Sequence, residues 1–186
     1  MLNFVKINRP HLLRYFSELF FNHVKVRLPL DYLSNVYTYL IYNTTNNKIV
    51  GGYAIIYKPP FRFIDLLPQH IKSEQSFLTK SLDDFYEVNG FFVEDSSFTF
   101  DILEKLLSTI LCLEKKYLLL FYDLNNKKIH NTWQKNLNPI LIYSGQPNTE
   151  ADNLKSHKNI YFGYVKQENI KKFLEKVQAR KAQFVP

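Results

Sequence analysis

An α/β (or α+β) fold, with a mixed central sheet flanked by helices, is predicted by three observations. Short segments rich in Val, Ile, Leu, Phe and Tyr recur along the 186 residues, and β-branched and aromatic residues suit strands. Between them lie stretches whose apolar residues repeat at helical spacing. One strand segment, residues 117–122, is an uninterrupted apolar run, as in strands covered on both faces. That combination calls for helices against a largely buried sheet. The length suits a single domain over residues 1–186. Apolar residues make up 46%, with 16 Phe and 13 Tyr, which argues against disorder of the whole chain.

The elements follow in order. Residues 9–23 place Leu12, Leu13, Phe16, Leu19, Phe20 and His23 at helical spacing, with Pro10 in the first turn. This is read as the first element. Residues 25–35 contain Pro29 and lack a period, which suggests a loop with at most a short helix. Residues 36–42 and 49–57 form a hairpin through the polar turn 43–48, closed by Pro59 and Pro60. Residues 61–82 are a loop with a short helix. Residues 85–93 are the central strand, and the helix after it, 98–113, carries Ile102, Leu103, Leu106, Leu107, Ile110 and Leu113 on one side. A short helix around Ile129 and Trp133 follows the strand 117–122. Two last strands, 139–143 and 159–165, are joined by the hairpin loop 145–156. A basic helix, 167–183, closes the chain.

Composition narrows the function classes. The single cysteine, Cys112, cannot form an intramolecular disulfide and fits a reducing compartment, so a cytoplasmic location is expected. Lying within an apolar helix pattern, it reads as a buried small hydrophobe rather than a nucleophile. The N-terminus has no signal-peptide layout, and no apolar run approaches the ~20 residues needed to span a bilayer. His11, His70, His130 and His157 are scattered without metal-ligand spacing, so no metal is expected. Lys and Arg total 24 against 17 Asp and Glu, a net +7 that suits an acidic partner. Much of the excess is in residues 158–181, which fits either a binding patch or a solvated helix face. No nucleic-acid motif accompanies it.

The most informative stretch is 85–97, Phe-Tyr-Glu-Val-Asn-Gly-Phe-Phe-Val-Glu-Asp-Ser-Ser. It reads as a strand, a polar turn and the start of a helix, an arrangement that aims free backbone N–H groups past the strand end. Glu87 lies at the strand's entry. Gly90 lies mid-strand, where glycine marks a bulge or a close approach by a ligand.

This order of elements resembles the GNAT family of N-acyltransferases. Residues 36–57, 60–68 and 86–93 are similar to segments of the acyl-homoserine-lactone synthases within it, over roughly residues 36–145. Two departures stand out. Gly90 and Ala54 replace arginines of that branch, which removes the groups that serve lactone formation. The glycine-rich loop that cradles pyrophosphate in acetyl-CoA-using members is replaced by Val93-Glu-Asp-Ser-Ser, whose acids repel phosphate.

The resemblance implies an acyl donor borne on an acyl carrier protein or on CoA, and an amine acceptor. The carrier is favoured by the missing phosphate loop and the positive charge. Glu87 matches the family's strand-entry glutamate, a candidate general base, with a solvent-facing acid as the plain alternative. Tyr143 is a candidate proton donor to the leaving thiolate. His23 is a second candidate base, because toxin-activating lysine acyltransferases use an N-terminal histidine; a histidine ending a helix is also favoured by the helix dipole. Asn89 is a candidate partner for pantetheine or acceptor. Phe91, Phe92 and Val93 take the place of the backbone oxyanion donors, and Ser96 and Ser97 complete the candidate donor-binding set. Phe61, Phe63, Phe77, Phe91, Phe92 and Phe100 either line an acyl tunnel or pack the core. Lipidation of a lysine or ornithine side chain fits, as does acylation of a small amine. The rival is a catalytically silent GNAT-like binding module.

Overall fold

The computed structural model describes residues 1–74, 81–148 and 159–183. Seven strands form one mixed sheet flanked by helices: β1 (Leu2–Ile7), β2 (Tyr37–Asn43), β3 (Ile49–Ile56), β4 (Phe85–Val93), β5 (Tyr117–Asp123), β6 (Ile140–Gly145) and β7 (Ile160–Lys166). Their order is β1-β2-β3-β4-β5-β7-β6. The helices are α1 (Pro10–Val24), α2 (Leu30–Ser34), α3 (Arg62–Asp65), α4 (Gln69–Glu74), α5 (Thr99–Leu111), α6 (Lys127–Leu137) and α7 (Gln167–Ala182). Two compact units divide the chain. One comprises Met1–Ile56, Val88–Ile110 and the segment from Leu174, and the other Tyr57–Glu87 and Leu111–Phe173.

In the first unit, β1, β2 and β3 are antiparallel neighbours. The strand β1 corrects the expectation that a helix opens the chain. Its pattern is irregular, with Asn3 and Lys6 exposed, Leu2, Phe4 and Val5 half-buried and only Ile7 buried. Pairing with β2, from Leu2 opposite Asn43 to Ile7 opposite Thr38, supplies the hydrogen bonds that make it a strand. Pro10 opens α1, where its missing N–H costs nothing, and Lys25 closes it in the left-handed region. The inward stripe of α1, Leu13, Phe16 and Phe20, packs with Ile7, Leu28, Leu33, Leu40, Ala54 and Phe92. Ser17 sits in the same stripe and is satisfied by Leu28, donating to its carbonyl at 2.8 Å and accepting from its N–H at 3.1 Å. The helix α5 buries Ile102, Leu106, Leu107 and Ile110, as its spacing predicts.

Cys112 corrects a second expectation. The helix ends at Leu111, and Cys112 is exposed in the turn beyond it. The apolar pattern outlasts the helical backbone here, so the residue turns outward.

In the second unit, β5 pairs antiparallel with β7, and β7 with β6. The parallel β4–β5 ladder covers Phe85, Tyr86 and Glu87 opposite Tyr117, Leu118 and Leu119, although β4 runs on to Val93 and β5 to Asp123. Leu118, Leu119 and Leu120 are buried, as the uninterrupted apolar run suggests. The side chain of Asn126 caps α6 by accepting from the N–H of Ile129 at 3.1 Å, and Asn138 ends it in the left-handed region. Phe77, His157 and the later part of the expected 145–156 loop lie outside the described residues.

Candidate functional site

The candidate site in the first unit is built where α1 ends beside the end of β4. His23 is in the last turn of α1. Its Nε2 lies 3.0 Å from Oε1 of Glu94, the residue immediately after β4. Its ring stacks on Phe92, with centroids 5.3 Å apart and planes inclined by 23°. Phe92 is itself fixed by Phe16 at 5.7 Å. The imidazole therefore has one face against a buried ring and one nitrogen against a carboxylate. A carboxylate accepts only, so in the neutral imidazole the proton lies on Nε2 and Nδ1 keeps the lone pair. The His23 and Glu94 side chains keep 32% and 38% of their surfaces exposed, so an incoming molecule can reach the pair.

The turn after β4 is closed on itself. The Asp95 carboxylate accepts from the Ser97 hydroxyl at 2.7 Å and from the Ser97 N–H at 3.0 Å. Those bonds hold the Asp95 carboxyl below the usual aspartate range. The Phe98 N–H donates to the Asp95 carbonyl at 3.1 Å. The backbone donors expected to face a phosphate are thus partly spent, and an acid stands in their place. Ser96 is exposed and its carbonyl accepts from the Thr99 hydroxyl at 2.8 Å.

Asn89 and Gly90 lie in β4 before this turn. Gly90 has a φ of 65°, and a Cβ there would lie 2.7 Å from Phe16 and 3.0 Å from Leu28. The close approach expected of a ligand at this glycine is made instead by core side chains. Asn89 Oδ1 accepts from the Gly90 N–H at 2.9 Å, while its Nδ2 is 3.4 Å from the Tyr32 hydroxyl. Phe91 and Val93 are half-buried, as is Phe100. Phe92 serves both core and site.

Glu87 and Tyr143 fall in the second unit. Glu87 is fully buried, at 0% exposure, which corrects the alternative of a solvent-facing acid. It is the third residue of β4, and its Oε2 accepts from the Phe63 backbone N–H at 2.9 Å. Phe63 in turn stacks on Phe121 at 5.3 Å. Phe61 is buried too. Beside Glu87 in sequence, the Tyr86 hydroxyl is buried without a hydrogen-bond partner among the described residues, and burial pushes its phenol up. The hydroxyl of Tyr143, on β6, donates to the Gln146 carbonyl at 3.0 Å.

Glu94 is the functional candidate that sequence reasoning passed over, since it counted only as one of two acids in a turn. It is 71 residues from His23, and no local pattern joins them. Among the described residues no cluster of His, Cys, Asp and Glu is arranged to hold a metal, and no helix is long and apolar enough to cross a membrane.

No protein-family model matches the sequence, and no curated protein matches it. Solved structures do. FeeM, an N-acyl amino acid synthase from uncultured soil microbes, superposes with a TM-score of 0.61 at 11% identity, over 96% of this chain and 97% of its own. The fold is that of the GNAT superfamily. A spermidine N-acetyltransferase SpeG chimera, from Vibrio cholerae and hSSAT, matches this GNAT fold with a TM-score of 0.57 at 9% identity, over 91% and 98% of the two chains. MesI, a CoA-dependent acyl-homoserine lactone synthase, gives 0.51 at 16% identity, over 96% and 95%. At these identities the likeness establishes the GNAT architecture, and the residues must carry any argument about chemistry.

Proposed function

We propose that this GNAT-fold chain is a cytoplasmic N-acyltransferase that moves an acyl group from a thioester to an amine. The observation that carries the reading is the His23–Glu94 pair seated on Phe92. A base held in one tautomer by an orienting carboxylate is the arrangement needed to deprotonate a nucleophile. In this reading Nδ1 of His23 takes the proton of the attacking amine. The amine nitrogen bonds to the thioester carbonyl, the C–S bond breaks, and the protonated imidazole returns its proton to the leaving thiolate. The β4 backbone around Phe91, Phe92 and Val93 supplies N–H donors to the developing oxyanion.

Glu87 is assigned a positioning role. Its full burial and its bond to Phe63 favour His23 as the base. Tyr143 is not required, because the imidazolium can protonate the thiolate and the phenol is engaged with Gln146. The donor is a carrier-protein or CoA thioester, and the acceptor a small amine or a lysine or ornithine side chain. The named activities of FeeM, SpeG and MesI support N-acyl transfer as the class.

The test is amide formation, read by mass spectrometry, from octanoyl and palmitoyl thioesters of carrier protein and of CoA. Amino acids, spermidine and a lysine peptide serve as acceptors. Amide is expected from at least one pair, and His23→Gln should lower kcat by about 10²–10⁴-fold without lowering the melting temperature. A second reading, a silent binding module, is favoured by the Asp95 carboxylate standing at the expected phosphate donors. No amide from any pair would establish it over the enzyme.

A further inference from the structure

We infer that Gly52 is a positioning residue for His23, acting through the Phe92 ring that rests on it. The catalytic consequence rests on the acyltransferase reading above, whereas the geometry can be measured without turnover. Two adjacent glycines inside a buried strand call for a reason, because glycine weakens a strand interior and brings no side chain to pack. Neither Gly51 nor Gly52 has a left-handed backbone, so conformational freedom is not what β3 needs there. Space is. A Cβ at Gly51 would lie 2.8 Å from the Phe92 carbonyl oxygen and 2.9 Å from Ile102. One at Gly52 would lie 2.8 Å from the Phe92 ring and 2.9 Å from Phe16. The two glycines admit two parts of one residue, its carbonyl and its ring.

The imidazole of His23 stacks on that ring. Glu94 donates its backbone N–H to the Val50 carbonyl at 2.9 Å, and its carboxylate reaches Nε2 of His23 at 3.0 Å. The contacts close a circuit. Val50 holds Glu94, Glu94 holds His23, His23 lies on Phe92, and Phe92 lies on Gly52, which follows Val50 and Gly51 in β3. Both constraints on the imidazole, the carboxylate and the stacked ring, are thus referred to one short stretch of backbone. A methyl group at residue 52 forces a shift of a ring or of the Tyr39 carbonyl, which would be 2.9 Å from it, because a close-packed interior has no slack. A displaced Phe92 ring carries the imidazole away from Glu94. Misplacement of a reacting group by about 1 Å costs rate heavily.

The experiment compares wild type, Gly52→Ala, Phe92→Leu and the double variant. The His23 tautomer is read by nitrogen NMR at about pH 9, where an ordinary imidazole is neutral. Steady-state kinetics give kcat and KM with the thioester and amine that yield amide in wild type. Wild type should hold the Nε2–H tautomer. Each single variant should show a mixture, with kcat lowered about ten- to a hundredfold and KM for the thioester nearly unchanged. Because Gly52 acts through the ring, the double variant should match Phe92→Leu alone. A folded Gly52→Ala protein that keeps the wild-type tautomer, or losses in kcat that multiply in the double variant, would overturn the inference. Should Gly52→Ala not fold, the double variant, which has more room for the methyl group, is set against Phe92→Leu. Equal tautomer mixtures in those two support the inference, and a wild-type tautomer in Phe92→Leu or a further change in the double variant overturns it. Tautomer mixtures in the variants, with no amide formed even by wild type, leave the positioning standing and remove the acyltransferase reading. Amide formation that neither substitution slows, with the tautomer unchanged, does the reverse.

Discussion

The carboxylate of Glu87 accepts the backbone N–H of Phe63 across 24 residues of sequence, at 2.9 Å and out of reach of solvent. A buried acid in mid-sheet is costly unless its hydrogen bonds are made. Removing it orphans a buried N–H. Glu87→Leu is therefore expected to lower unfolding stability by about 1–3 kcal/mol. Glu87→Gln keeps an acceptor oxygen and should be milder, as urea melts of the two variants will show. If Glu87→Gln folds normally yet loses turnover while His23→Gln keeps it, the assignment of the base to His23 is wrong.

Glu94 orients His23 in the proposed chemistry without touching the amine. Glu94→Gln still offers an oxygen to Nε2–H but no negative charge for the imidazolium. It should lower kcat by about tenfold or more and leave KM for the thioester nearly unchanged. Steady-state kinetics decide it. A loss confined to KM would instead mean that Glu94 serves binding.

Gly90 is where β4 passes beneath Phe16 with a φ of 65°. Gly90→Ala adds a methyl group 2.7 Å from that ring and strains the backbone at the same residue. About 1–3 kcal/mol of destabilisation is expected, measurable as a lowered denaturant midpoint with an unchanged slope. Gly90→Ala combined with Phe16→Leu should recover part of the loss.

Asp95 caps the turn before α5 through Ser97, and those bonds lower its carboxyl below the usual aspartate range. A depressed carboxyl contributes stability above its unfolded value and loses it as pH falls through the folded one. Asp95→Ala should remove this part of the acid-side loss in a series of melts at falling pH. It also frees the Ser97 N–H, so CoA should bind the variant more tightly than wild type by calorimetry. Equal affinity would show that Asp95 does not exclude phosphate.

Lys181 in α7 meets two acids of α5, Asp101 at 2.6 Å and Glu104 at 2.8 Å. Those hydrogen bonds, to Asp101 first, raise the lysine's own proton affinity. The Lys181 ammonium holds the Glu104 carboxyl below its usual range. The lysine's contribution is complete below its unfolded value and fades as pH rises past the folded one. Glu104's is present above the unfolded glutamate value and fades in acid. All three groups are partly exposed and screened by solvent, so Lys181→Met should cost no more than about 1 kcal/mol near neutrality. The difference from wild type should shrink in high salt and below the carboxylate range.

Local chemistry determined most of the elements. The bounds of β4 follow from its aromatic and apolar content between polar turns, and α5 from the spacing of Ile102, Leu106, Leu107 and Ile110. Pro10 marks the start of α1, and the GNAT order of elements is legible from that succession. Tertiary structure decided what local patterns cannot encode. The strand β1 exists because β2 offers it a hydrogen-bonding edge. Cys112 is exposed because the backbone leaves the helix one residue before it. Glu87 reads as an accessible acid until the Phe63 N–H is seen to hold it in the core. Glu94 became a partner of His23 only when the end of β4 met the end of α1. Helical and strand periods reach a few residues along the chain, whereas a pair 71 residues apart is set by packing of the whole first unit.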